Sequence, residues 1–274
     1  MTTAVLRLHR TALLVWTAFV AALLLWQVWL TTAGADETRR LAARCRGMLD
    51  YCDAFSYGEQ MAWPGILLSH TCLAVAAYAG GALIGRELES GTAHLAWTQG
   101  VTPARWLAAK LAVPAVAVTL GGTALMLAFR AGWAANRDLM WDDWWTSYVF
   151  VDRGPALVAY GLCALAVGTL LALLLRRTLA ALGAGLAVML LLTVTLDRFR
   201  SELWPTVTRR SARAFDPPEG AWQLDGGHRG GRYVLTYHPE SHFWALHLME
   251  TGVLLAVAAL ATVAAFLLLR RRTG

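Results

Sequence analysis

The chain has 274 residues, of which 57% are hydrophobic and only 15% charged, against about 25% charged in a soluble domain. Its apolar residues come in long blocks rather than in a 3.6-residue stripe, which excludes an ordinary water-facing fold and points to a bilayer. The net charge of +6 is carried by arginines flanking those blocks, with no basic patch on a foldable soluble unit, so anionic lipid headgroups rather than nucleic acid are the expected partner.

Six spans are predicted in chain order. Residues 11–30 carry no charge and are long enough to cross ~30 Å of hydrocarbon. Ala33-Gly34-Ala35 after them mimics a signal-peptidase site, so a cleaved signal is the rival reading. The run exceeds the usual apolar region of about 7–15 residues in such signals, and a retained first helix is adopted. The polar loop 31–63 holds Cys45 and Cys52, a candidate disulfide if the loop faces an oxidising compartment, although the sequence does not fix their geometry. Residues 64–85 make the second span, with Trp63 at the interface and Pro64 in the first turn. Gly81 and Gly85 form a small-xxx-small pair suited to close helix approach.

The link 86–105, RELESGTAHLAWTQGVTPAR, changes character. Gly91 breaks any helix after Glu89, and Gly100 precedes Thr102-Pro103, a helix start with Thr as cap and Pro in the first turn. Between the breaks Ala93, Ala96 and Trp97 share one helical face, while His94, Thr98 and Gln99 fall elsewhere. This is a short piece suited to lying at a membrane surface and being touched from the water side; the plainer reading is a loop between two spans. Residues 106–129 make the third span, where Lys110 can snorkel to the interface of Arg105. The loop 130–154, with four aspartates and Trp141, Trp144 and Trp145, reads as an interfacial aromatic belt. Residues 155–175 are the fourth span and 178–196 the fifth, joined by so short a turn at Arg176-Arg177 that the two must lie side by side. The polar segment 197–247 leads to the sixth span, 248–269, closed by Arg270, Arg271 and Arg272.

Placing both termini, the 86–105 link and Arg176-Arg177 on one side collects ten Lys/Arg there against only Glu87 and Glu89; the other side has fourteen against sixteen acids. The basic side is therefore expected to be cytoplasmic, with both chain ends inside. The fold class expected is an all-α integral membrane protein of six helices, with a short cytoplasmic coupling helix and a longer outer segment before the last span.

Chemistry-bearing motifs are sparse. The chain lacks GxxxxGK[ST], HExxH, GxSxG and CxxC, so it is not expected to bind ATP or to act as an enzyme by itself. His238 and His242 have a ligand-like spacing of four, but Pro239 should begin a helix that leaves His238 outside, and no metal site is assigned. His70 and Glu250 are ionisable groups within the spans, where such groups are functional candidates. Facing each other they would form an outer cavity; both also lie shallow enough to be hydrated at the interface.

RELESGTAHLAWTQGVTPARWLAAKL resembles the segment after the second span in ABC-2-type transporter permeases, especially those of actinobacteria, through Arg86, Glu87, Leu88, Glu89, Gly91, Thr92, Leu95, Trp97, Gln99, Val101, Arg105, Trp106, Leu107, Lys110 and Leu111. AYGLCALAVGTLLALLLRRTLAA and YHPESHFWALHLMET are similar to further pieces of that family, while His94, Pro103 and His247 depart from it. The resemblance implies the permease subunit of an ATP-driven exporter in the cell membrane, a homodimer or paired permease, with ATP and magnesium bound by a separate ATPase. It also implies that the link meets that ATPase and that an outer segment dips back toward the membrane before the last helix. Glu87 and Glu89 would pair with arginines of the ATPase, cap a neighbouring helix, or simply solvate the turn. A membrane sensor or scaffold without transport, and a membrane enzyme with its site in the outer loop, are the alternatives.

Overall fold

The computed structural model describes residues 2–44, 57–140 and 142–273. Cys45, Cys52 and Trp141 lie outside the described residues. Six helical segments among them are long and apolar enough to cross a membrane, so the apolar blocks form a multi-pass helical body as their composition predicts.

The first segment is α1 (Thr2–Trp29), which passes through a π-helical turn at Leu30–Gly34 into α2 (Ala35–Arg44). The second comprises α3 (Tyr57–Ser69), α4 (Thr71–Tyr78) and a second π-helical stretch, Ala79–Gly85. It runs on into the short α5 (Arg86–Glu89), whose first N–H bonds to Gly81 O, five residues back. The helix α6 (Thr92–Thr98) follows, and α7 (Pro103–Ala135) forms the third segment. A short α8 (Ser147–Asp152) then leads to α9 (Ala156–Leu175), α10 (Thr178–Phe199) and finally α11 (Phe243–Thr273). Several helices outrun their apolar blocks: α3 begins seven residues before Pro64, and α11 begins five before Leu248.

The helix α9 is the axis of the bundle. Fourteen of its twenty residues are buried, and α4, the second π stretch, α7, α10 and α11 pack around it. Close contact is set by small residues. A Cβ on Gly168 of α9 would fall 2.6 Å from Ala76 O, and one on Gly80 would fall 2.7 Å from Ala181 O. Backbones of the second, fourth and fifth segments therefore touch directly, the packing mode favoured where lipid supplies no hydrophobic drive. Gly81 sits against the Leu182 side chain instead. On the outside of the bundle Leu25, Leu179 and Leu260 are 72%, 82% and 71% exposed, an apolar surface suited to acyl chains rather than water.

The segment between the fifth and sixth spans is not helical throughout. After a 3₁₀ turn at Arg200–Glu202 it forms three antiparallel strands, β1 (Val207–Ser211), β2 (Trp222–Arg229) and β3 (Arg232–His238), in the order β1-β3-β2. Gly230 and Gly231, both at positive φ, make the two-residue hairpin between Arg229 and Arg232, a turn that needs left-handed backbone at both positions. Tyr233, Leu235 and Tyr237 alternate toward a small core with Ala221 and Phe215.

This sheet is docked through tryptophan. Trp144 is fully buried, donates from Nε1 to Gly220 O at 2.7 Å, and meets Trp222 and Phe243 edge-on. Trp145 stacks on Trp222 with an interplanar angle of 4°. The expected interfacial belt is, at Trp144, the core of an outer cap instead.

Candidate functional site

The α5–α6 elbow is built by two left-handed glycines, Gly91 (φ 75°) and Gly100 (φ 85°), which stop one helix and release the next. The backbone then re-enters a helix at Thr102, whose Oγ1 accepts from Arg105 N, with Pro103 in the first turn. Ala93 is buried and Trp97 half-buried, whereas Arg86, Gly91, Thr92, Leu95, Gln99 and Arg105 are exposed. One face of the elbow thus rests on the bundle and the other, with Leu95 60% exposed, is bare.

Its two carboxylates are both engaged by other helices, Glu87 partly buried and Glu89 at the surface. Glu87 pairs with Lys110 Nζ and accepts from Trp106 Nε1 at 3.2 Å, both on α7. Lys110, expected to snorkel, is buried against this acid, which offsets the cost of taking its charge from water. Glu89 accepts from the backbone N of Thr178, the first residue of α10, at 2.8 Å. Of the roles considered for Glu89, the structure displays the cap on a neighbouring helix. Trp97 stands edge-on to Trp106 (5.7 Å) and to His94 (4.6 Å). The elbow is therefore fastened to the third and fifth membrane segments.

The same end of the bundle carries the α9–α10 turn and the end of α11. Arg176 takes a left-handed conformation (φ 55°), and Arg272 Nη1 donates to Leu173 O. Leu88, His94, Trp97, Arg176, Leu268 and Arg272 all line one cleft between these elements.

At the other end of α9, ~20 Å away by helix rise, lies a buried polar network that sequence reasoning identified only in part. Glu250 is fully buried and receives Arg200 Nε at 2.9 Å, Arg200 Nη2 at 3.3 Å and Tyr160 OH at 2.8 Å. Arg200 also donates to Asp197 Oδ1 at 2.9 Å, and Ser147 Oγ reaches the same oxygen. The guanidinium lies 4.2 Å from the Phe150 ring centroid. Ala156 N donates to His247 Nε2 at 3.0 Å, which leaves the proton of a neutral ring on Nδ1.

Glu250 is thus buried inside the protein, and its partners are Arg200 and Tyr160 rather than His70. His70 is exposed at the break between α3 and α4, its Nδ1 on Ile66 O at 2.8 Å and near Ser69 Oγ. Arg200 escaped notice because it stands beyond the apolar run of the fifth span, among other charges.

Beside this network Asp152 is completely buried, and among the described residues neither of its carboxyl oxygens has a hydrogen-bond partner. Burial holds its carboxyl well above the usual acid range, because loss of water disfavours the charged form. Arg153, its neighbour, is pushed down to about 10, first by burial and then by the positive charges of Arg137 and Arg130. It stacks at 3.6 Å on the Trp133 ring.

His238 and His242 meet Nδ1 to Nδ1 at 3.0 Å, with His238 Nε2 on Ser201 O. Among the described residues, no group of three or more His, Cys, Asp or Glu is placed to hold a metal. Cys72 and Cys163 are buried free thiols.

Residues 13–200 match the family described as ABC-2 membrane transporter related, more than half of the chain. No curated protein and no solved structure matches it.

Proposed function

The chain belongs to the ABC-2 membrane transporter related family, and from that premise we propose that it is the permease subunit of an ATP-driven exporter. It works with a separate ATPase chain, which binds ATP and magnesium, and pairs with a second permease, a copy of itself or a relative. The elbow and both chain ends lie in the cytoplasm, and the elbow's bare face, with Arg86, Leu95 and Gln99, receives the ATPase.

The observation that supports this reading is the fastening of the elbow. Glu87 is tied to α7 through Lys110 and Trp106, and Glu89 to α10 through Thr178. A push on the bare face is thereby passed to two membrane segments rather than absorbed in a loose loop. ATP binding moves the permease only if the partner's two nucleotide states bind two elbow positions with different free energies. Converting the population from mostly one to mostly the other takes ~5 kcal/mol, which a firm attachment can deliver.

The test is co-purification with the ATPase encoded beside this gene, followed by ATP hydrolysis with Glu87→Gln and Glu89→Ala. Association with altered turnover is expected. Failure to recruit any nucleotide hydrolase, or association and turnover unmoved by both changes, would remove the assignment.

A further inference from the structure

We propose that the mouth of the cleft between α6, the end of α9 and the end of α11 seats the phosphate of an anionic phospholipid headgroup against its basic rim. This requires only that this end of the bundle meet a membrane surface, and so stands apart from the ATPase reading.

The lining is two-toned. Leu88, Leu173, Leu268 and Leu269 form apolar walls, while Arg176, Arg272 and His94 supply its polar rim. No carboxylate lines it. The two nearest described acids in sequence, Glu87 and Glu89, are engaged by Lys110 and Thr178. Arg272 uses Nη1 on Leu173 O, which holds its guanidinium at the cleft while other N–H groups of its five remain to bind oxygen.

Two details indicate an oxygen-rich anion. Trp97 Nε1 is buried on a ring that lines the cleft, yet has no acceptor among the described residues, and buried donors are ordinarily satisfied. Arg176 occupies the left-handed position that ends α9, where glycine is the unstrained choice. Its side chain is held at the rim despite that conformation.

The apolar walls point to a lipid rather than a free anion. Leu174, Leu175 and Leu267, next to the cleft in sequence, are 46%, 43% and 50% exposed, apolar surface on α9 and α11 against which an acyl chain can lie. Basic pockets between membrane helices are general sites for such headgroups. A lipid seated here would touch α6 through His94 and Trp97, and so would load the elbow according to membrane composition.

Native mass spectrometry of the full chain released from detergent, with added phosphatidylglycerol or phosphatidylcholine, tests this. One phosphatidylglycerol retained in preference to phosphatidylcholine is expected, with retention falling about tenfold or more in the Arg176→Gly/Arg272→Gln variant. Arg176→Gly suits the left-handed backbone, which keeps the fold. Trp97→Phe, which removes only the N–H, is expected to weaken retention severalfold, and Arg198→Gln at the other end of α10 to leave it unchanged. Equal retention of the two lipids by the unaltered protein, or undiminished phosphatidylglycerol retention in the double variant, overturns the proposal. Inorganic phosphate that binds the delipidated protein and displaces phosphatidylglycerol at millimolar concentration would assign the cleft to a free anion instead. Should the double variant fail to stay monodisperse, the lipid preference of the unaltered protein and the phosphate competition decide the matter.

Discussion

Glu89 and Thr178 are joined by one hydrogen bond, from the first backbone N–H of α10 to the carboxylate that ends α5, 2.8 Å long. It ties the elbow to the fifth segment through a side chain. On the proposed coupling to an ATPase chain, Glu89→Ala is expected to leave association intact and to lower ATP turnover about fivefold or more, the low end of typical coupling energies. Glu89→Gln keeps an acceptor and is expected to retain most of the activity. Turnover measured on both variants checks the direction.

The Arg200–Glu250 pair is a second case where one partner cannot be lost alone. Both side chains are buried; removing Arg200 leaves Glu250 an uncompensated charge at a cost of about 3–5 kcal/mol, and removing Glu250 leaves Arg200 only its bond to Asp197. Glu250→Ala and Arg200→Ala should each sharply lower the thermal midpoint of the purified protein. Replacing both together, as Arg200→Met with Glu250→Leu, should cost clearly less than the two single changes added. A double-mutant cycle by thermal denaturation measures this.

Asp152 gives a pH dependence of defined sign. Its folded carboxyl is held above the ordinary acid range by burial, so the folded state keeps a proton that the unfolded chain releases. The associated stability is fully present below the unfolded pKa and is lost as pH rises toward the folded one, at about 1.4 kcal/mol per pH unit. Asp152→Asn, neutral at every pH, should therefore match the parent near pH 4 and exceed it increasingly at higher pH. Melting curves across that range are the check; a gain that is the same at all pH values would contradict it.

Gly168 tests the packing of the axis helix. With Ala76 O only 2.6 Å from where a Cβ would stand, Gly168→Ala forces α4 and α9 apart and should cost about 1–3 kcal/mol. The same change at Gly183, which has open space around it, should cost nothing of that kind. Thermal midpoints of the two variants in detergent decide between them.

Much of this could be read from residues alone. The charge-free blocks gave the helical body, and Gly91, Gly100 and Thr102-Pro103 gave the shape of the elbow, because chain breaks and caps are local chemistry. What stayed hidden depended on distant partners. Lys110 looked like a snorkelling residue because Glu87, its counter-ion, is on another helix, and Glu250 looked shallow because Arg200 comes from beyond the fifth span. The outer sheet had a local signal: Tyr233, Leu235 and Tyr237 alternate behind Gly230-Gly231, the pattern of a hairpin strand. A polar segment between membrane spans drew attention to its charges rather than to that period. Trp144, grouped with an interfacial belt by its neighbours, is buried by a sheet that begins more than sixty residues later.

The π-helical stretch Ala79–Gly85 acts as an angular spacer. Each residue of an α-helix advances the chain by ~100° about its axis, so a stretch wound on i to i+5 bonds fixes the azimuth at which everything after it leaves the membrane. Were these seven residues to tighten into α geometry with none deleted, Glu87 would swing away from Lys110 and Glu89 away from Thr178 by about a quarter-turn or more. The direction in which the lever points is thus set not in the lever itself but in seven residues of its shaft.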